Sequence, residues 1–260
     1  MTDGNWDLPI SENELAGLTR DLDEAHRETI PTMYAKAGEF AEQIAEQAGA
    51  SPILARRRFL LGAAGAAGLA LAVAACGGNG GSGTAAAPSS ASPYAGDFKV
   101  VALATALENQ AIGAYTAALR AATAGRLGAV PPAVGTFAKT AMAQHADHAM
   151  AWNAVLASAG RKPITGVPLS GQPAVRQALG SVTSVGDVAK LALRLENQAA
   201  QTYLFAEFNV TSSGGISTAA SIAPVEAMHA AILRFVLGEY PAPDDFLATI
   251  MAANPSQLTV

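Results

Sequence analysis

The chain has 260 residues, of which half are hydrophobic and only 14% are charged. That length allows one or two domains. The net charge of −5 is uneven, since residues 1–76 carry 11 acidic and 6 basic side chains and residues 77–260 carry ten of each. The second region therefore lacks the basic patch of a nucleic-acid-binding surface, and we expect no nucleic-acid partner. A single cysteine leaves no disulfide framework to assign.

Residues 1–55 precede an apolar segment, and we interpret them as a cytoplasmic leader. They contain a predicted amphipathic helix from about Glu12 to Ala48, broken near Pro31, because proline removes a helical hydrogen bond. His26 lies among charged residues in the stretch EAHRE, which favours a solvated histidine. The sequence does not indicate what the leader does.

Residues 56–76 resemble an export signal. Arg56 and Arg57, followed by RFL, resemble the twin-arginine motif. Residues 59–75 are uncharged and short for a membrane span. The stretch VAAC, ending at Cys76, resembles a lipobox, in which the cysteine is acylated and becomes the first mature residue. The resemblance implies an exported lipoprotein on the outer face of the cytoplasmic membrane or in the cell envelope.

Two other interpretations of this segment remain open. The signal could stay uncleaved as a membrane anchor, or the stretch could be a buried helix with an isolated cysteine. Residues 77–96 are rich in Gly, Ser, Ala and Pro, which is typical of a flexible linker. A folded domain would follow this linker.

An all-α domain is predicted for residues 97–238, because apolar residues recur there at three- and four-residue intervals without strict alternation. We expect Pro224 to kink the last helix. A long connection, 160–184, should contain a short helix at 173–180, and the tail 239–260 should pack outside. The four long helices are predicted at about 97–124, 131–159, 185–211 and 217–237. The expected fold is a four-helix bundle with a long connection between its second and third helices.

The pentapeptide LENQA occurs at 107–111 and again at 195–199, each time with a tyrosine seven residues after the glutamate. The repetition predicts that the first and third bundle helices are equivalent. The second helix carries His145 and His148, and the fourth carries Glu226 and His229. Both pairs have the i, i+3 spacing that places two side chains on one helix face.

These polar residues lie on the apolar stripes of their helices and should face the core. A buried carboxylate is costly unless it is paired or binds a metal. We therefore predict a metal site, and metal ions as partners of the chain. The candidate ligands are Glu108, His145, His148, Glu196, Glu226 and His229.

The ligand order resembles that of the ferritin-like di-iron carboxylate proteins, in which two helices each supply a Glu and two supply Glu-x-x-His. The resemblance covers about 97–238 and is strongest to exported bacterial ferritin-like domain proteins. It implies two iron ions at the six candidate ligands. It also implies that Tyr115 and Tyr203 lie near the metal pair, as redox residues or as core packing.

One position departs from the family pattern, because His145 stands where the resemblance leads us to expect a bridging Glu. We therefore expect weaker or asymmetric binding of a second metal, or a single metal. Nitrogen-rich ligation also leaves zinc, manganese or copper open alongside iron. Two functions follow, a di-iron redox protein (ferroxidase, peroxide or oxygen chemistry) or a non-catalytic envelope lipoprotein with a degenerate site. The sequence does not fix the oligomeric state.

The remaining polar residues near these ligands have less specific expectations. Trp152 should be a core residue and Asp147 should face water. The residues beside the two glutamates should pack between helices or donate hydrogen bonds to the ligands; they are Asn109, Gln110, Asn197 and Gln198.

Overall fold

The structure is a computed structural model that describes residues 8–47, 59–61 and 92–260. Within these ranges there is no β-strand, only one isolated bridge between Leu169 and Leu258. The helices are α1 (Glu12–Gln47), α2 (Asp97–Thr123), α3 (Pro132–Ser158), α4 (Gln172–Ser181), α5 (Val185–Asn209) and α6 (Ser213–Val236), followed by a 3-10 turn at Pro255–Gln257. The all-α prediction and the four bundle helices are confirmed.

Helices α2 and α3 pack as one pair, α5 and α6 as another, and α2 also contacts α5. The equivalence of the LENQA helices therefore has a structural counterpart, because the two repeat-bearing helices lie side by side. The short helix α4 lies in the predicted long connection. Helix α6 runs without interruption through Pro224.

Local sequence signals explain where the bundle helices begin and end. Ser184 and Ser212 cap α5 and α6, accepting hydrogen bonds from the backbone N–H groups of Asp187 (3.1 Å) and Gly215 (3.0 Å). After α3, Gly160 takes a positive φ of 68° that favours glycine. These ends fix the lengths of the helices that carry the candidate ligands.

The leader helix α1 is a fifth helix of the bundle, packed against both α3 and α6. Its predicted break at Pro31 is wrong, because one continuous helix runs through that residue. Burial on both sides of Pro31 offsets the lost backbone hydrogen bond. The buried stripe recurs at three-, four- and seven-residue spacings and comprises Leu15, Thr19, Leu22, His26, Met33, Ala37, Phe40 and Ile44.

The contact between α1 and α6 depends on glycine. At Gly214 an added Cβ atom would lie 2.5 Å from the backbone nitrogen of Phe40 and 2.8 Å from the carbonyl oxygen of Lys36. Helix α6 begins at Ser213, a turn earlier than predicted, since Gly214 and Gly215 belong to a close helix contact and not to a loop. Phe59 also contacts α1, because it is buried over Gly38.

The C-terminal tail lies along the outside of α5 and holds the long connection. The backbone N–H of Ala253 donates to the Thr202 hydroxyl (2.8 Å), and that of Thr259 donates to the carbonyl oxygen of Pro168 (2.9 Å). These contacts support the predicted outer packing of the tail.

Among the described residues, α6 is the one helix whose length and mean hydropathy, 1.3, would suffice to cross a membrane. More than half of its most apolar window is buried inside the bundle, and it carries Glu226 and His229. Those features are typical of the core helix of a folded domain.

We predict that Gly214→Ala destabilises the docking of α1, because the new methyl group overlaps backbone atoms that have no room to move. Overpacking of this kind costs about 1–3 kcal/mol. Urea unfolding and limited proteolysis of α1 would measure the effect. Gly113→Ala in α2 is the matched control, since nothing lies within 4 Å of its added Cβ. Equal stability of the two variants would contradict the close contact.

Candidate metal centre

The six predicted ligands meet in the bundle interior, and each side chain is exposed by 1% or less. Helices α2 and α5 supply Glu108 and Glu196 from the same place in the repeat. Helices α3 and α6 supply the remaining four. The structure therefore brings together all of the side chains that the sequence selected.

His145 lies at the centre of the cluster. Its Nδ1 is 2.7 Å from Glu108 Oε2, and its Nε2 is 3.2 Å from Glu196 Oε1. The Nδ1 atom is also 3.6 Å from Glu226 Oε2. His145, which stands where the resemblance predicts a bridging glutamate, thus contacts carboxylates from three helices.

The cluster divides into two overlapping groups that could each hold a cation, and in each group the ligand atoms lie within 4.8 Å of one another. The His148 half consists of Glu108, His145, His148 and Glu226. The His229 half consists of His145, Glu196, Glu226 and His229. The two halves share His145 and Glu226.

The donor atoms of the His148 half fit a metal ion. His148 Nδ1 lies 2.9 Å from Glu226 Oε1, but the angles between them are not those of a hydrogen bond. Both atoms are buried, and neither has a hydrogen-bond partner in the described structure. Unsatisfied buried polar atoms are costly and are often explained by an ion. Imidazole nitrogen and carboxylate oxygen are ligands that iron, zinc and manganese accept.

Two side chains that the sequence analysis did not select contact the outer nitrogens of the ligand histidines. Gln144 Oε1 lies 2.8 Å from His229 Nε2. His26 Nε2 lies 3.2 Å from His148 Nε2. The interpretation of His26 as solvated is wrong, since it is 3% exposed beneath the bundle helices. Its place on the buried stripe of α1 is the signal that could have identified it.

The two tyrosines pair across the repeat. The Tyr115 hydroxyl donates to Glu196 Oε1 at 2.5 Å, and the Tyr203 hydroxyl donates to Glu108 Oε1. Each tyrosine therefore holds the glutamate of the other repeat helix. Trp152 is buried as predicted, and its indole N–H donates to the Tyr203 hydroxyl at 2.9 Å.

Both phenols remain hydrogen-bond donors over the whole working pH range. Burial, with the adjoining carboxylates, raises the pKa of Tyr115 and of Tyr203 well above the usual value. Neutral donors of this kind orient the two carboxylates without adding charge to the centre.

Charges within the metal-free cluster balance one another. Burial opposes ionisation of Glu108, but the charges of His148 and His145 outweigh it and lower its pKa to about 2. Burial likewise disfavours charged His148, yet Glu108 and Glu226 raise its pKa to about 9. At the other groups, too, burial is outweighed by neighbours of opposite charge, which lower the pKa of Glu196 and raise the pKa of His145 and of His229. These shifts favour protonated histidines beside ionised Glu108 and Glu196.

The residues beside the two glutamates form hydrogen bonds with neighbouring segments and not with the candidate ligands. Asn109 donates to the carbonyl oxygens of Ile164 and Gly166, and Gln110 donates to Gln172. Asn197 Oδ1 accepts from Arg234. The packing alternative therefore holds for these three residues. Asp147, expected to face water, is half-buried, and burial raises its pKa.

The predicted export residues Arg56, Arg57 and Cys76 lie outside the described residues. Their roles, the cytoplasmic placement of the leader and the linker boundaries stay predictions.

We predict that the metal-free protein loses stability as pH rises from 6.5 to 9. A histidine whose pKa is raised on folding stabilises fully below its unfolded value of 6.5, and this contribution disappears through the folded value, about 9 for His148. The slope should be about 1.4 kcal/mol per pH unit for each proton lost. Urea unfolding of chelator-treated protein would measure it. A flat or rising profile would contradict the imidazolium–carboxylate pairing.

Comparison with known proteins agrees with this architecture. A family model described as a ferritin-like domain matches residues 96–239, which is more than half of the chain. No curated protein and no solved structure gives a significant match. The matched range contains all six cluster residues and all of α2 to α6. With its helical bundle and its buried histidine–carboxylate cluster, the chain belongs to the ferritin-like domain family.

Proposed function

We propose that this protein binds two metal ions, with iron expected by family, and uses them in redox chemistry with dioxygen or peroxide. The observation that carries the proposal is the pair of overlapping ligand groups with shared residues. Zinc, manganese or copper at the same ligands is the alternative that elemental analysis separates.

Glu226 has the geometry of a bridging carboxylate. Its Oε1 lies 2.9 Å from Nδ1 of His148, and its Oε2 lies 3.3 Å from Nδ1 of His229. One oxygen therefore faces each half of the centre. This arrangement supports a two-ion site even though His145 replaces the other expected bridge. We still expect the two halves to bind their ions with different affinities, because three carboxylates carry less negative charge than two divalent ions carry positive charge.

Iron bound as a ferrous pair would supply two electrons, which with two protons reduce one dioxygen to hydrogen peroxide, or one peroxide to two waters. The chain itself holds the ligands, through the hydroxyls of Tyr115 and Tyr203, and excludes bulk water. The imidazolium protons of His148 and His229 must leave their Nδ1 atoms before these atoms bind a metal. Metal binding should therefore release protons and strengthen as pH rises.

An apolar cavity next to the centre supports a small substrate. It has a volume of about 60 Å³ and is bounded by Tyr115, Phe137 and Leu233 among other apolar side chains. The Phe137 ring packs edge-on to His229 with ring centroids 6.2 Å apart. Such a cavity suits a small neutral molecule such as dioxygen better than a polar organic substrate.

A non-catalytic role is the second candidate, and one observation favours it. The buried carboxylates already have partners within the protein, since His145 contacts Glu108 and Glu196 at once. A bundle stabilised in this way could serve as a structural or binding module of the cell envelope. In that case the protein stays folded without taking up metal.

Export to the cell envelope is the proposed localisation. It is supported by the order of the twin arginines, the apolar segment and Cys76 in the sequence. Attachment would be through lipidated Cys76 or through an uncleaved anchor. Because twin-arginine export carries folded proteins, the centre could be loaded in the cytoplasm, where metal supply is controlled.

We predict that the purified full-length protein takes up to two ferrous ions under anaerobic conditions and that air then produces a near-ultraviolet absorbance. Glu196→Gln should abolish binding in the His229 half, since it removes one charge and one ligand oxygen. Metal-to-protein ratios and absorbance would be measured together.

Glu207→Gln is the matched control, because it makes the same change on the same helix, outside both ligand groups. Uptake equal to that of the unaltered protein is expected for this control. A folded unaltered protein that binds no metal would overturn the redox proposal and support the non-catalytic one.

We also predict that Arg56→Lys combined with Arg57→Lys blocks export in a bacterium with a twin-arginine pathway, while Arg58→Lys has little effect. Cell fractionation would measure the distribution, and Cys76→Ala should release exported protein from the membrane. Metal in the exported protein but none in the blocked protein would contradict cytoplasmic loading, whereas unchanged distribution would contradict the signal itself.

A further inference from the structure

The two ring nitrogens of His148 face different surroundings. Its Nδ1 points into the cluster, 2.9 Å from Glu226 Oε1 and 3.7 Å from Glu108 Oε1. Its Nε2 points the other way, 3.2 Å from Nε2 of His26 on α1. The two rings meet edge-on, with centroids 5.2 Å apart. The leader helix therefore touches the outer side of a candidate metal ligand.

We propose that His26 is a positioning residue of the metal centre, which accepts the Nε2–H hydrogen of His148 and so keeps the Nδ1 lone pair of His148 directed toward the metal. The inference rests on the proposed metal binding and extends it to the leader helix. Ligand histidines commonly donate the outer N–H to a fixed acceptor, which sets tautomer and ring orientation.

The other half of the centre shows the same arrangement with a different residue. His229 directs Nδ1 toward Glu196 and Glu226, and its Nε2 lies 2.8 Å from Gln144 Oε1. His26 and Gln144 therefore occupy equivalent outer positions. The difference is that Gln144 belongs to the bundle, whereas His26 comes from a helix that precedes the export signal.

His26 is suited to accept a hydrogen bond because it stays neutral. Burial, with the neighbouring histidine charges, lowers its pKa to about 3. The position of His26 Nε2 against His148 Nε2 makes it the acceptor, and the low pKa of His26 is consistent with that role.

A consequence follows for the leader. Helix α1 covers α3 and α6, and cleavage at Cys76 would remove it together with His26. A signal that spans the membrane would likewise separate α1 from an exported bundle. The His148 half would then exchange His26 for water and bind its ion less tightly. The leader would thus tighten metal binding before export and relax it afterwards.

The test uses the full chain with zinc as a diamagnetic probe. His148→Ala first identifies which zinc-binding event, measured by calorimetry, belongs to the His148 half. His26→Ala should weaken that event by about 10- to 100-fold, the usual effect of losing an outer acceptor. His26→Gln should restore it, since a glutamine accepts from His229 in the other half. Circular dichroism would check folding.

A second readout reports position without relying on affinity. In the zinc-loaded protein, long-range proton–nitrogen NMR should show His148 as the Nε2–H tautomer with a slowly exchanging proton. His26→Ala should speed that exchange, and His26→Gln should not. Tyr34→Phe is the matched control on α1, because it removes a hydrogen bond to the Asp147 carbonyl oxygen and leaves the cluster untouched.

Gly214→Ala provides an independent variant, because it loosens α1 without substituting any cluster residue. It should weaken the His148 event in the same direction as His26→Ala. Unchanged zinc affinity and proton exchange in folded His26→Ala would overturn the inference alone. Zinc binding that His148→Ala leaves unchanged would also overturn the inference. No zinc or iron uptake by the unaltered protein would overturn the proposed function and this inference together.

Discussion

The burial of three carboxylates in an alanine-rich bundle is the constraint on which the structure depends. Glu108, Glu196 and Glu226 are each exposed by 1% or less, and an unpaired carboxylate at such depth would be severely destabilising. Three histidines contact these carboxylates and would supply the balancing charge when protonated. Metal ions would supply it after displacing the imidazolium protons. The bundle is therefore compatible with either state, and metal binding becomes an exchange of protons for cations.

The outer contacts explain how such a centre keeps its shape. Tyrosines hold the two repeat glutamates crosswise, and Gln144 and His26 hold the outer nitrogens of two histidines. Each of these contacts uses a neutral partner, so that orientation is gained without disturbing the charge balance. In such a metal site, charged inner groups bind the ion and neutral outer groups fix the orientation of the ligands.

Helix α1 connects the N-terminal segment to the candidate metal centre, which the sequence presents as separate features. Residues before the proposed export signal form α1, and α1 supplies both a cover for α3 and α6 and the neighbour of His148. Gly214 permits the close approach of α1 to α6. Under the proposed export, movement of the bundle across a membrane would break the contact between α1 and the bundle. The centre of the precursor and that of an exported domain would therefore differ in one outer residue.

The sequence by itself determined the helices, their approximate ends and the six inner residues. These follow from apolar periodicity and i, i+3 spacing, which depend on residues close together in the chain. Only the tertiary structure decided that Tyr115 pairs with Glu196 and Tyr203 with Glu108, since helical spacing gives the angle of a side chain but not its partner on another helix. The charged neighbours of His26 favoured solvent, and only the docking of α1 between α3 and α6 buried it. Local periodicity fixes which face of a helix is apolar, whereas packing between distant segments decides what that face meets.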